Sequence, residues 1–292
     1  FPFKETEDQL KAESDIFDDL SQKRPMDRVL VGDVGFGKTE IALRAALRAI
    51  SSGRQVAFLA PTTILTLQHA KTFEERLKDT GIDVRLLSRI VPKKEQKKII
   101  EGIKHGSVDC VIGTHRILSK DISFKNLGLV IIDEEQRFGV KQKEHFKELR
   151  AEIDILSLSA TPIPRTLSLA LAKLRDMSLV ETPPPERLPI HTFVLPYSEK
   201  LIREAIHKEI SRGGQVYVLH NRIETIGHAQ ESLEKIISKT AGLLRAASIG
   251  IIHGRMDERD LIRTMDRFRK KEINILLATT IIENGLDISS AN

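Results

Sequence analysis

Cys110 is the only cysteine in the 292-residue chain. Intrachain disulfides are therefore excluded, which fits a reducing cytoplasm. Cys110 sits inside the apolar run 108–112, where a thiol reads as a small core residue. The nine histidines are scattered without metal-ligand spacing, so no structural zinc is expected. Apolar runs are short. The longest, such as 127–132, suit buried strands and fall far below the roughly 18 residues of a membrane span. Low-complexity tracts are lacking too. Phe1 rather than Met opens the chain and no signal peptide precedes it, which predicts an excerpt of a longer polypeptide.

What is present is ordinary for a globular protein: 40% hydrophobic and 30% charged residues. The length suits two α/β domains of about 150 residues each. A net charge of +5 is compatible with phosphate-bearing partners, although many basic proteins bind no nucleic acid.

Short Val/Ile/Leu runs alternate with longer helical patterns. Runs at 29–31, 56–60, 84–87, 108–112, 129–133 and 155–158 read as strands buried on both faces. Helical stretches at 39–50, 65–77 and 95–103 separate them, which predicts a parallel sheet covered by helices on both sides. The segment ETPPPERLP at 181–189 interrupts the pattern, because consecutive prolines continue neither a helix nor a central strand. It reads as a semi-rigid linker. The pattern then resumes with 191–195, 216–219, 249–253 and 275–278 as strands, and with helices at 199–211, 225–237 and 258–268. The expected fold class is α/β, with two lobes built on mainly parallel sheets and the second C-terminally incomplete. The lobes are expected at 1–182 and 191–292, joined by a Pro-rich linker at 183–190.

Gly32-Asp33-Val34-Gly35-Phe36-Gly37-Lys38-Thr39 matches the P-loop spacing, after a strand and before a helix. Glycines let the backbone turn its N–H groups toward one point, and a helix N-terminus adds partial positive charge. Lys38 is expected to reach the β- and γ-phosphates, and the Thr39 hydroxyl to ligate Mg²⁺. The complementary carboxylate follows the hydrophobic strand 129–132. Asp133 is placed to hold Mg²⁺ through water, and Glu134 to orient or deprotonate the attacking water. An acidic surface turn is the plainer alternative for these two residues taken alone.

The ordered series GDVGFGKT, PTT, GTHR, DEEQ, SAT and TTIIENGLDI resembles helicase superfamily two, whose lobes are RecA-like. Two families within it share most of the series: RecG-type fork-remodelling helicases and the transcription-repair coupling factor family. The runs RPMDRVLVGDVGFGKTEIALRAAL, DEEQRFGV, SATPIPRTL, ETPPPERLPI and NRIETI are more similar to the coupling factors. RecG-like proteins usually carry His within the DExx box and Ser where Phe36 stands.

The resemblance implies roles for particular residues. Gln9, following Phe3, looks like an adenine reader whose aromatic neighbour stacks on the base; a polar residue opening a helix is the other reading. Gly32, Gly35, Gly37, Lys38 and Thr39 hold phosphate and metal, with Asp133 as the second metal residue. Lys38, Asp133, Glu134 and Gln136 form the catalytic set. Ser159, Ala160 and Thr161 relay nucleotide state to nucleic acid. Thr62, Thr63, Thr114, His115 and Arg116 look like nucleic-acid contacts of the first lobe, although Thr62 and Thr63 also suit helix caps and Arg116 a solvated cation. Asn221, Arg222, Arg255, Thr279 and Thr280 look like their counterparts in the second. Glu283, Gly285 and Asp287 belong to a motif that closes on nucleotide and DNA. No physical role for 162–165 follows from its residues.

The implied activity is that of an ATP- and Mg²⁺-dependent translocase on double-stranded DNA. It displaces stalled RNA polymerase during repair and reaches polymerase and repair proteins through other modules. The implied setting is the bacterial cytoplasm, at the nucleoid and away from membrane, with a monomeric core. ATP binding would close the two lobes around the 183–185 hinge. The family's arginine-finger motif would follow Asp287 by some tens of residues, which predicts nucleotide binding with weak hydrolysis for this stretch alone. A RecG-type strand-separating helicase, a non-catalytic scaffold with a relic site and a P-loop signalling ATPase are the alternatives. Intact Lys38, Thr39, Asp133 and Glu134 argue against the relic, and the second α/β lobe against the signalling ATPase.

Overall fold

The computed structural model describes residues 4–160, 175–184, 191–238, 247–280, 288 and 290–292. The chain folds as two compact units, Phe1–Leu188 and Pro189–Asn292. Among the described residues no helix is long and apolar enough to cross a membrane.

The first unit is a seven-stranded sheet. Its strands are β1 (Asp27–Gly32), β2 (Gln55–Leu59), β3 (Val84–Leu87), β4 (Cys110–Gly113), β5 (Leu127–Asp133), β6 (Asp154–Ser159) and β7 (Asp176–Val180). They lie in the order β3-β4-β2-β5-β6-β1-β7. Every pairing is parallel. The physical reason is visible along β2. Val56 and Phe58 face one hydrophobic core, and Ala57 and Leu59 face another, so each residue of the run is buried. Burying a Leu or Phe side chain in this way contributes about 1.5–3 kcal/mol.

Three helices cover one face: α1 (Glu7–Leu20), α2 (Lys38–Ser51) and α3 (Thr63–Leu77). Thr6 and Gln9 form a capping box that starts α1, and the acidic Glu7 and Asp8 suit its first turn. The buried side of α2 includes Ala42, Ala45, Ala46 and Ala49, small enough to seat the helix close to the sheet. Thr62 caps α3 by accepting from Leu65 N at 3.3 Å. On the other face lie α4 (Lys93–His105) and α5 (Val140–Leu149). α4 buries Ile99 and Ile103 while its lysines stay toward solvent, and it stops at Gly106, whose φ of 78° suits glycine.

Asp176–Val180 and α5 are not among the elements read from the sequence. β7 alternates polar and apolar residues, and its Ser178 is buried because Arg28 Nη1 donates to it at 2.8 Å while it donates to Asp15 at 2.9 Å. Polar residues buried by such partners hide a strand from a hydrophobic scan. Cys110 lies in β4 with no exposure, and burial pushes its thiol well above the usual range.

The second unit is built on a three-stranded parallel sheet, β8 (Val216–Leu219), β9 (Ile249–Ile252) and β10 (Ile275–Ala278), in the order β8-β10-β9. Its helices are α6 (Glu199–Ser211), α7 (Ile226–Ser238) and α8 (Glu258–Arg269). Ile206, Leu233, Ile237, Ile275 and Leu277 form its core. The expectation of a strand at 191–195 fails. This stretch is exposed extended chain, with Phe193 at 77% and Val194 at 95% exposure. A strand exists only by pairing, and no described residue forms a ladder with this one.

Candidate functional site

In an all-parallel sheet every strand ends at the same edge, and ligands bind outside those carboxyl ends. Here that edge collects the chemistry-bearing segments. Gly32 ends β1 and opens the P-loop; Asp133 ends β5; Ser159 ends β6, which lies between them. The registers Asp133↔Leu158 and Val31↔Ser159 align the three ends. Two strand spacings, about 10 Å, separate the P-loop strand from the carboxylate strand.

The P-loop turns through Gly35 and Gly37, at φ 81° and 80°. Position 37 needs glycine for its backbone, and a Cβ there would also meet Gln9 Nε2 at 2.4 Å and displace that amide. α2 begins directly after it with no side-chain cap, and a helix N-terminus of this kind favours an anion. Lys38 Nζ donates to Gly32 O at 2.7 Å and Asp33 O at 2.9 Å, so the ammonium lies across the loop. Thr39 is the second residue of α2 and is half-buried. Glycine turn, uncapped helix start and ammonium together form a donor set that fits a polyphosphate.

Gln9 is tied to this loop. Its Nε2 donates to Phe36 O at 2.9 Å, and its Oε1 accepts from Thr6 N at 2.9 Å. It opens a helix and braces the P-loop at once. The rest of α1 is anchored by Arg44 of α2, which bonds Glu13 at 2.6 Å and also Glu5. Asp8, beside Gln9, accepts from the Glu181 and Thr182 backbones at 3.1 and 2.8 Å. A hydrogen bond from the Thr182 side chain, aided by these backbone bonds, holds the Asp8 carboxyl below its ordinary range.

Asp133 and Glu134 occupy different environments. Asp133 Oδ2 lies 2.9 Å from His69 Nε2. Glu134 adopts a left-handed φ of 51°, unusual for a residue with a long side chain. Its N–H bonds Leu158 O at 3.0 Å, its Oε1 accepts from Ala160 N at 3.1 Å, and its Oε2 accepts from Gln136 Nε2. The expected catalytic pair Glu134 and Gln136 therefore meets the expected coupling segment at Ala160.

Glu135 turns inward. It accepts from Arg150 Nη2 at 2.6 Å, Ser157 Oγ at 2.7 Å and Arg175 Nη1 at 3.0 Å. Asp27 binds both arginines, at 3.2 and 2.6 Å. Burial alone would raise the Glu135 carboxyl, but Ser157, Arg175 and Arg150 together hold it below the ordinary carboxylate range. His69, Arg150 and Arg175 are absent from any motif. Nothing in their local spacing marks them, since their partners lie 64, 15 and 40 positions away.

The expected nucleic-acid contacts of the first unit follow β2 and β4 to the same edge. Thr62 is engaged as the α3 cap, Thr63 is buried, and Thr114 is buried with its hydroxyl unpartnered. His115 is exposed. Arg116 is held by both oxygens of Asp121, at 2.7 and 2.6 Å. That pair raises the guanidinium and lowers the carboxyl. In the second unit Asn221 and Arg222 follow β8, Arg255 follows β9, and Thr279 and Thr280 follow β10. Thr279 is buried; Asn221, Arg222, Arg255 and Thr280 are exposed. Arg255 Nη2 donates to Glu224 at 2.9 Å. Phe3, Thr161, 162–165, Glu283, Gly285 and Asp287 lie outside the described residues.

A family model described as DEAD/DEAH box helicase matches residues 6–169. The chain belongs to that family. A second model, the helicase conserved C-terminal domain, matches residues 198–292 of this helicase. The helicase chain is similar to transcription-repair-coupling factors of Bacillus subtilis (strain 168) and Staphylococcus aureus (strain USA300). Each is 50% identical over 292 residues, which is 100% of this chain and 24% of the relative. The chain thus spans about a quarter of the length of the curated relatives it matches. Among solved structures it resembles RecG bound to a three-way DNA junction, with a TM-score of 0.80 and 36% identity over 100% of this chain and 38% of that one. It also resembles the Mycobacterium smegmatis helicase Lhr bound to ssDNA and AMP-PNP, with a TM-score of 0.69 and 17% identity over 96% of this chain and 40% of that one. At that identity the second likeness speaks for the fold alone. Two RecA-like helicase lobes are the architecture, the first on seven strands and the second on a smaller sheet.

Proposed function

We propose that this helicase chain is the ATP-hydrolysing core of a translocase that moves along double-stranded DNA. In that role it would displace stalled RNA polymerase, in the manner that the name transcription-repair-coupling factor implies for relatives 50% identical to it. One observation carries the reading. The parallel sheet sets the P-loop, Asp133–Glu134 and Ser159–Ala160 side by side, with Glu134 Oε1 bonded to Ala160 N.

The residues divide the work. The glycine turn and Lys38 would hold the phosphates, while the Thr39 hydroxyl and Asp133 would hold Mg²⁺, the second through water. Mg²⁺ supplies positive charge against the phosphate oxygens. Glu134 is the group we assign to orient the attacking water and accept its proton. Its bond to Ala160 ties that carboxylate to the segment that reports nucleotide state. Gln9 is assigned to the adenine edge while it braces Phe36 O. Exposed His115, Asn221, Arg222, Arg255 and Thr280 are assigned to phosphate oxygens, contacts that position without reading sequence. Polymerase and repair partners would bind through other modules of a longer bacterial cytoplasmic protein, with this core acting as a monomer.

The test is ATP-driven displacement of a triplex-forming third strand from duplex DNA. Displacement without separation of the duplex, lost in Lys38→Ala, is the expected result. Duplex affinity that is insensitive to salt and dependent on sequence would contradict the phosphate contacts. A second reading, fork remodelling, is favoured by the likeness to RecG on a three-way junction. Strand displacement from a forked substrate, with no third-strand displacement, would select it.

A further inference from the structure

His69 lies on α3, away from every motif, and it is nearly fully buried, at 4% exposure. Its Nε2 is 2.9 Å from Asp133 Oδ2. A carboxylate oxygen only accepts, so Nε2 carries the proton. Nδ1 is buried with no hydrogen-bond partner, so nothing on that side competes for the ring. The ring's plane is set from the sheet: Phe58, fully buried on β2, lies with its centroid 4.5 Å from that of His69, and Phe73 braces Phe58 in turn at 5.3 Å. An imidazole locked by aromatic packing and aimed at one oxygen of a strand-end carboxylate has a single geometric consequence. It holds the carboxylate's rotamer and leaves Oδ1, which no described residue engages, as the oxygen available to a cation's bound water.

We infer that His69 is the positioning residue of the metal site. It donates to Asp133 Oδ2 and so presents Oδ1 in one orientation. The inference rests on the reading of Asp133 as the carboxylate that holds Mg²⁺. His69 neither contacts the nucleotide nor transfers a proton. A neighbour behind a metal-holding carboxylate in this way typically governs metal affinity about 10- to 100-fold.

Mn²⁺, read by electron paramagnetic resonance with saturating ADP, measures the metal directly in the 292-residue chain. ADP affinity in EDTA measures the phosphate site without metal. His69→Leu keeps apolar volume beside Phe58 and removes the donor; His69→Gln keeps a donor of similar reach. The expected result is Mn²⁺ affinity roughly 10- to 100-fold weaker in His69→Leu, substantially recovered in His69→Gln, with metal-free ADP affinity unchanged in both. Wild-type Mn²⁺ affinity in His69→Leu would overturn the inference. So would an equal loss of metal-free ADP affinity, or a loss of fold in both variants, since either makes His69 a packing residue only. A wild-type chain that binds no ADP, or a Lys38→Ala chain that binds it as well as wild type, would instead defeat the phosphate-site reading on which the inference stands.

Discussion

Gln55 and Gln215 stand at matching places in the two units, and they show how alike the scaffolds are beneath unlike edges. Gln55 opens β2 after the turn Gly53-Arg54; Gln215 precedes β8 after Gly213-Gly214. Each side-chain amide is buried. Gln55 Nε2 donates to Ile103 O and Val108 O at 3.0 and 2.8 Å, on either side of the turn that follows α4. Gln215 Nε2 donates to Phe268 O and Ile273 O, both at 2.6 Å, on either side of the turn that follows α8. The same device closes a helix end onto a parallel strand in each unit.

The opposite, carboxyl-terminal edges diverge. In the first unit the edge side chains bond inward, as Gln9 with Phe36 O, His69 with Asp133, and Glu134 with Ala160 N. Among the described residues of the second, Asn221, Arg222, Arg255 and Thr280 are exposed, and Arg255 pairs with Glu224 at 69% and 64% exposure. Preorganised groups suit chemistry, where reorientation during reaction is costly. Solvated cations suit a phosphate backbone that must be gripped and released.

Breaking the inward bonding of the first unit should cost most. Glu135→Ala strands Arg150 and Arg175 beside one remaining carboxylate, and a loss of about 3 kcal/mol is expected in denaturant unfolding. That is the low end of the roughly 3–5 kcal/mol that breaking a buried ion pair costs, because these side chains keep 18–27% exposure. The same carboxylate sets a pH window. Its folded value lies below the unfolded one, so its stabilisation is present above the ordinary carboxylate range and is lost as pH falls through the depressed value. Glu135→Gln should flatten the acid limb of stability against pH. Asp154, which burial pushes the other way, is present in both proteins and cancels in the difference.

Lys38→Ala comes next. It should weaken ATP binding by roughly 10- to 100-fold, the worth of hydrogen bonds to a charged group, while circular dichroism stays unchanged. Unaltered affinity in calorimetry would refute the phosphate site. The shared scaffold predicts equal effects at its two glutamines. Gln55→Leu and Gln215→Leu each remove two hydrogen bonds donated to backbone carbonyls at a buried site and should cost about 1–3 kcal/mol in thermal unfolding. A large cost at one and none at the other would break the parallel between the units. The smallest effect belongs to the solvated edge. Arg255→Ala should change stability by less than about 1 kcal/mol. It should also reduce the salt slope of duplex binding by about one, measured by fluorescence anisotropy. A stability loss without a change in slope would make Arg255 structural.

Much of the scaffold was legible in the residues. Runs buried on both faces announce parallel strands, and six strands of the first unit fall where the Val/Ile/Leu pattern puts them. The P-loop was equally plain, because its glycines and lysine must be adjacent in sequence to work. β7 was hidden because Ser178 is buried through Arg28 and Asp15 rather than through apolarity. The strand expected at 191–195 failed for the converse reason: an apolar run has strand propensity, but only a neighbour makes it a strand.

By itself the sequence determined the alternation of elements, the phosphate-binding turn and the acidic strand end, since each is encoded within a few consecutive residues. The tertiary structure alone decided that His69 backs Asp133, that Ala160 engages Glu134 and that Glu135 turns inward to Arg150 and Arg175. Those pairings join residues on different elements, and hydrogen bonds act over about 3 Å of space whatever the distance along the chain.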